Sequence, residues 1–451
     1  MPRQEPPTDA PLPGVLSLLV SRRFGALFAT QFLSAFNDNA LKNALVLMIA
    51  YRPETAGGLA PGLLIPLAGG LFILPFFLCS ATAGELADVR DKARLIRLIK
   101  LIEIPLMLVA AGFVIAGHAI WLLALLFAMG IEAAFFGPLK YAILPDLLPR
   151  ERLLLGNALI EAGTFLAILF GTIAGMLIAT AHGGASVAAL IDAVAVAAWG
   201  CSRAIPATMP AALGLRPNWN VLTATGRLIA DAAREPVPFR AMLAISWFWL
   251  AGAIYLSQFP SYVRFVLGSE EAVVTLFLTV FSVGVGFGSL LCNRLLRGRI
   301  SAATAPWGAL GIALFSIDLW AASPIAAAVA APLSLSAFLA EPAHWRILAD
   351  LFGIAASGGV FIVPLYAILQ TEGDPAHRAR TIAGNNVINA AAMVISALAT
   401  MALVAAGTSV PGLFLLTGLA TLPVAALSRR IAQPARRRDA RSSAKGKAAI
   451  S

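Results

Sequence analysis

The sequence predicts an all-α membrane protein, with about 12 transmembrane helices in two six-helix halves, from three observations. First, 59% of the 451 residues are hydrophobic and 12% are charged, which leaves too little polar surface for a water-soluble globule. Second, apolar segments of roughly 20 residues, long enough to cross a bilayer, recur along the chain with short connections. Third, the first such segment, 27–50, carries Asp38 and Lys42 in its middle. An isolated charge at the bilayer centre costs at least ~2.5 kcal/mol, so this pair should face a polar cavity and mark a solute path.

Residues 1–23 read as a cytoplasmic leader with a disordered, Pro-rich start, and the first helix serves as its own insertion signal. Spans are expected at 24–50, 62–83, 95–117, 119–137, 155–180 and 185–205, then at 241–267, 272–293, 303–322, 346–370, 381–405 and 410–428. Between the bundles 24–205 and 241–428 lies a linker, 206–240, where Pro206, Pro210, Pro217, Pro236 and Pro238 bound an amphipathic stretch from Val221 to Arg234. The apolar segment 323–345 is broken by Pro324, Pro332 and Pro342 and is expected to be an external connection against the membrane.

Of the 33 Lys and Arg residues, all but Lys42, Arg52, Arg264 and Arg346 fall on alternate connections, Lys100 being counted with the group after the second helix. Basic residues mark the cytoplasmic side, so both termini are expected there. The same rule accounts for the net charge of +10 without nucleic acid, because the basic tail 429–451 concentrates it near anionic membrane lipids. Cys79, Cys201 and Cys292 lack metal-ligand spacing and read as packing residues; no cofactor is expected.

A repeat supports the two halves: Pro138-Leu139-Lys140-Tyr141-Ala142-Ile143-Leu144 returns as Pro364-Leu365-Tyr366-Ala367-Ile368-Leu369. Downstream of each copy, Asn157 and Glu161, then Asn385 and Asn389, lie four residues apart on one helix face. As a symmetric set they are expected to line a central cavity. Singly, the asparagines also fit hydrogen-bonding between helices. Glu132 reads as a cavity residue or the partner of a buried cation, and Lys140 as a phosphate ligand or an anchor at the headgroups. Glu103 and Asp192 fall inside expected spans without an assigned role.

Gly84-Glu85-Leu86-Ala87-Asp88-Val89-Arg90-Asp91-Lys92 resembles the loop motif of the major facilitator superfamily, with Asp91 replacing a later Gly. The resemblance implies that Asp88 and Arg90 gate the transporter by holding its outward-facing state. QFLSAFNDNALKNAL, FFGPLKYAILPDLLP, GNALIEAGTFLAILFGTIAG, GVFIVPLYAILQ and RARTIAGNNVINA narrow the similarity to the bacterial lysophospholipid transporter family, with Ser34 and Asp146 departing from an expected Gly and Glu.

That resemblance implies the major facilitator fold and a flippase in the bacterial inner membrane. Its cargo would be lysophosphatidylethanolamine and related lysophospholipids, delivered to the cytoplasmic leaflet for reacylation. The implied partner is a separate acyltransferase with acyl-carrier-protein ligase activity, since the chain ends soon after helix twelve. A zwitterionic headgroup needs shelter from hydrocarbon and its tail does not. Asn37, Asp38, Asn39 and Lys42 are expected to take the headgroup, Asp38 attracting ammonium and Lys42 phosphate. Arg264 is expected to pair with Asp38 as an external gate. Asp38 and Lys42 also admit a structural reading as mutually neutralising neighbours.

An enzyme is the rival class, but nucleophile elbows, nucleotide-binding loops and metal clusters are missing from the sequence, and His344 to Asp350 is one residue too long for an acyltransferase His-x4-Asp. Within transport the alternative is a proton-coupled exporter of drugs or small solutes, titrating Glu161, Asp38 or Glu132.

Overall fold

A computed structural model describes residues 14–51, 61–212, 218, 220–324 and 332–448. The leader through Pro13, Arg52, Pro217, the middle of the 323–345 connection and the side chains of the tail from 433 lie outside the described residues. Twelve long helices follow in order: α1 (Gly25–Tyr51), α2 (Pro61–Val89), α3 (Lys92–Ala116), α4 (Ala119–Ala142), α5 (Arg150–Thr180), α6 (Gly183–Ser202), α7 (Pro236–Val266), α8 (Glu271–Leu296), α9 (Ala302–Ala322), α10 (Pro342–Thr371), α11 (Pro375–Ala405) and α12 (Val410–Ala432). Eleven helices among the described residues are long and apolar enough to cross a membrane, and the protein is a multi-pass membrane protein. The helix outside that count is α1, whose polar run from Asn37 to Asn43 lowers its hydropathy.

Local chemistry sets the boundaries. Asp91 caps α3, its carboxylate accepting the Ala93 N–H at 2.9 Å. Gly183, with φ 75° and ψ −175°, separates α5 from α6 in a conformation that L side chains resist. The linker ends sooner than expected, because α7 already begins at Pro236, where proline's missing N–H costs nothing in a first turn. The described part of 323–345 is no span: Leu333 shares an isolated bridge with Ser269, Leu335–Ala340 is a six-residue helix, and α10 starts at Pro342.

Packing in the N-terminal half centres on α1 against α5, where a Cβ at Gly171 or Gly175 would strike the backbone of Phe36 or Ala40. The C-terminal half is built around aromatic rings, including Tyr255, Phe259, Tyr262, Phe277, Phe281 and Phe414, with Phe259 and Phe277 edge-to-face at 5.7 Å. The halves meet where α2 packs on α11 and where α5 packs on α8 and α10. Leu98, Leu101, Ile102 and Leu108 of α3, with Ile395, Leu398 and Met401 of α11, stand exposed, as a surface facing lipid requires.

Candidate functional site

A cavity of about 330 Å³ lies between the halves. Helix α1 lines it with Asp38, Asn39 and Lys42, and α4 with Phe136, Lys140 and Tyr141. Trp249 of α7, Tyr366 of α10 and Asn386, Asn389 and Met393 of α11 form the opposite wall. Every charged side chain lining it comes from the N-terminal half: one carboxylate and two ammonium groups. Asp38 Oδ1 is buried without a hydrogen-bond partner, while the Lys42 ammonium sits 5.9 Å from the Phe72 ring centroid and that of Lys140 4.9 Å from the Tyr141 centroid. Lys140, placed by sequence where its helix meets the cytoplasm, is therefore a cavity residue.

Asn37 and Glu132 do not line this cavity. They belong to an ionic cluster behind its wall, in which the Lys100 ammonium reaches Glu132 Oε1 at 2.6 Å, Glu103 Oε2 at 2.8 Å and Ser34 Oγ at 2.5 Å. Asn37 Nδ2 donates to Glu103 Oε1 at 3.3 Å and to the Ile191 carbonyl at 3.1 Å. Lys100 is 0% exposed and also lies 4.2 Å from the Phe136 ring centroid. Lys100 is therefore no cation of the α2–α3 connection, because two buried carboxylates retain it inside the bundle. Ser34 occupies the position where a Gly was expected, and only its hydroxyl supplies the third contact.

The floor of the cavity is the repeat seen in the sequence. Tyr141 and Tyr366 stack across the two halves with centroids 4.2 Å apart and planes 5° from parallel. Tyr141 donates its hydroxyl to Glu161 Oε1, and Trp249 Nε1 donates to the Tyr366 hydroxyl at 3.2 Å. Glu161, Asn157 and Asn385 do not line the cavity, contrary to expectation, because the stacked rings separate them from it. Asn157 instead exchanges two hydrogen bonds, of 2.7 and 2.9 Å, with Gln370 of α10. Of the matched set, Asn389 alone lines the cavity, where its Oδ1 accepts from Ser246 at 2.7 Å.

Past the amide pair, the bundle end carrying the α2–α3, α4–α5 and α10–α11 connections is clamped by charge. Asp88, 0% exposed, accepts the Ala379 N–H at 2.9 Å and Arg380 Nε at 3.0 Å, so it caps α11 with the charge sign that its helix dipole favours. Asp146 bonds Lys92 at 2.9 Å and Arg378 at 3.3 Å. Arg90, expected in this clamp, is exposed; Arg380 from the other half takes its place because α11 begins directly against Asp88. Asp91, which stands where the loop motif has Gly, ties the α2–α3 connection to Thr208 by accepting its N–H and hydroxyl, each at 3.0 Å. Burial pushes the Asp91 carboxyl up, but these donors and the Ala93 N–H hold it below the usual range. Arg264 is exposed at the far end of α7 beside Phe265, and the structure does not bring it to Asp38.

At that far end a second, largely apolar groove of about 710 Å³ runs between α1, α5 and α8, with Leu47, Met176, Leu177 and Leu278 on its walls. The arrangement is a pocket that carries one carboxylate and two ammonium groups, sealed at one end by three layers, stacked rings, paired amides and ion pairs, with a second, larger groove near the other.

Comparison with known proteins agrees with this architecture. The chain is 28% identical over 382 residues to the lysophospholipid transporter LplT of Serratia proteamaculans (strain 568), covering 81% of this chain and 83% of that one. LplT of Yersinia enterocolitica is 28% identical over 371 residues, covering 79% and 80%. Among solved structures, the human organic anion transporter MFSD10 superposes with a TM-score of 0.67 at 14% identity, covering 93% of this chain and 99% of that chain. The E. coli fucose:proton symporter FucP does so with a TM-score of 0.65 at 13% identity, covering 90% and 98%. Residues 27–352 match the model of the Major Facilitator Superfamily, so the chain belongs to that superfamily and is a membrane transporter related to the lysophospholipid transporters.

Proposed function

We propose that the protein is an inner-membrane flippase that moves lysophospholipids such as lysophosphatidylethanolamine to the cytoplasmic leaflet by alternating access. The observation that carries this reading is the charge layout of the cavity, with Asp38 on one wall and Lys42 and Lys140 beside it. A phosphoethanolamine headgroup has complementary charges, its ammonium directed to Asp38 and its phosphate to the two lysines. Asn39 and Asn389 add neutral donors and acceptors. The acyl chain stays in hydrocarbon along the apolar groove between α5 and α8, so only the headgroup is desolvated.

In this reading the clamped end faces the cytoplasm, in line with the basic residues of its connections, and both termini lie on that side. The protein is then held outward-facing by Asp88, Arg380, Asp146 and Arg378. Rocking of the bundles 24–205 and 241–428 about the linker 206–240 parts the floor and releases the headgroup inward. A separate acyltransferase with acyl-carrier-protein ligase activity would consume the delivered lipid. Labelled lysophosphatidylethanolamine offered to spheroplasts with and without the protein tests this, and equal recovery from the inner leaflet would refute it.

A second reading, proton-coupled export of drugs or small solutes, is favoured by Glu161, a carboxyl at 0% exposure whose Oε2 has no hydrogen-bond partner. Transport that collapses with the proton gradient selects it; lysolipid movement indifferent to the gradient selects the flippase.

A further inference from the structure

The amphipathic helix Val221–Arg234 belongs to neither the cavity nor its floor, yet its apolar side is covered. Ala224 and Leu228 pack on Ala81 of α2 and on Ala383 and Val387 of α11, in a cluster separate from the cores of both halves. The segment before the helix is fastened to α2, where the Asn218 N–H donates to the Glu85 carboxylate and the Asn218 carbonyl accepts from the Thr82 hydroxyl at 3.3 Å. Its last residue is joined to α7 through Glu235 alone. Beneath it α2 and α11 nearly touch: a Cβ on Gly84 would stand 2.5 Å from that of Ala383, and one on Gly384 would stand 3.5 Å from Leu228 Cγ.

We infer that this helix is a strap that locks the seam between α2 and α11, with Leu228 as its bolt. Both walls of the Leu228 socket must separate when this end of the bundle opens, so the seam cannot part while Leu228 is seated. The strap differs in kind from the Asp88 and Asp146 clamps. Those are ionic, whereas the strap holds by apolar contact. A crevice of about 480 Å³ between the helix, α2, α7 and α11, walled by Glu85, Arg227 and His377, gives the strap room to lift. The inference rests on the alternating access proposed above but is independent of the cargo.

Two measurements test it, in protein whose Cys79, Cys201 and Cys292 are replaced by Ser. In the first, Leu228→Cys is combined with Gly384→Cys. Oxidation should bridge them and arrest lysophosphatidylethanolamine uptake, and reductant should restore it, while each single variant transports. In the second, Gln370→Cys reports opening of the sealed layers through its reaction with a maleimide in purified protein. Adding Leu228→Asp, or the milder Leu228→Ala, should raise its labelling rate about fivefold or more. Full uptake by the bridged protein, failure of the bridge to form, or unchanged labelling in both Leu228 variants overturns the strap. If the unmodified protein moves no lysophosphatidylethanolamine, the proposed cargo fails and the labelling measurement still decides the strap.

Discussion

The two halves share one architecture and divide the chemistry unequally. Behind its cavity wall the N-terminal half buries Lys100, Glu103 and Glu132, and it supplies Asp38, Lys42 and Lys140 to the cavity itself. The C-terminal half presents Trp249, Tyr366 and amides to the same cavity, and fills its interior with stacked and edge-on aromatic rings. One of its ion pairs, Arg346 with Asp318, sits exposed, away from the cavity, beside the buried Asp350. A polar interior in lipid needs fully partnered ions, which ties α1, α3 and α4 together. An aromatic interior is well packed without them. The contrast fits the proposed reading, in which the N-terminal half recognises the cargo and the two halves move against each other.

The sharpest way to break this contrast is Lys100→Met, which leaves Glu103 and Glu132 facing each other without their cation. Thermal unfolding in detergent should show a loss of about 3–5 kcal/mol, recovered in large part when Glu103→Gln and Glu132→Gln are added. An unchanged melting temperature for Lys100→Met alone would mean that the cluster is not dry. Next, Asp38→Asn keeps the shape of the cavity wall and removes its one carboxylate. Uptake should fall about tenfold to a hundredfold, the worth of a charge-assisted hydrogen bond, with insertion intact. Normal uptake would leave the recognising half without its role.

Tyr366→Leu acts on the boundary between the halves by unstacking Tyr141. The sealed state should lose about 1 kcal/mol, read as roughly fivefold faster labelling of a cysteine at Gln370. An effect of the same size, on stability rather than on opening, belongs to the connection between α2 and α3. Asp91→Ala should cost about 1 kcal/mol through loss of the α3 cap and the Thr208 tie. Because Asp91 is held below its ordinary pKa, its contribution is present above the usual carboxylate range and fades as pH falls through its folded value. The variant and the parent should therefore converge in stability in acid.

Much of the fold was legible from one dimension, since bilayer thickness imposes length and apolarity on each helix whatever its neighbours. The spans at α2 through α12 answer to that constraint, α1 meets it in length alone, and only the ends moved, as at Pro236. The polar positions of α1 were legible for the same reason: a charge in lipid is conspicuous. Lys100 was not, because it lies near enough to Lys92, Arg94 and Arg97 to pass as one more cation at the membrane edge. Its two carboxylates approach from 3 and 32 residues away, and the longer separation has no local signal.

The repeated Tyr motif shows the same division. Its two copies mark related halves in the sequence, yet spacing alone does not say that Tyr141 and Tyr366 lie face to face and shut Glu161, Asn157 and Asn385 away from the cavity. The clamp likewise pairs Asp88 with Arg380, 292 residues on, rather than with nearby Arg90. Composition and segment hydropathy determined a membrane protein of about twelve helices with ions in its first, because the membrane tests each segment separately. Which ions line the cavity and which only hold helices together was decided in three dimensions, because burial and pairing depend on what distant segments bring alongside.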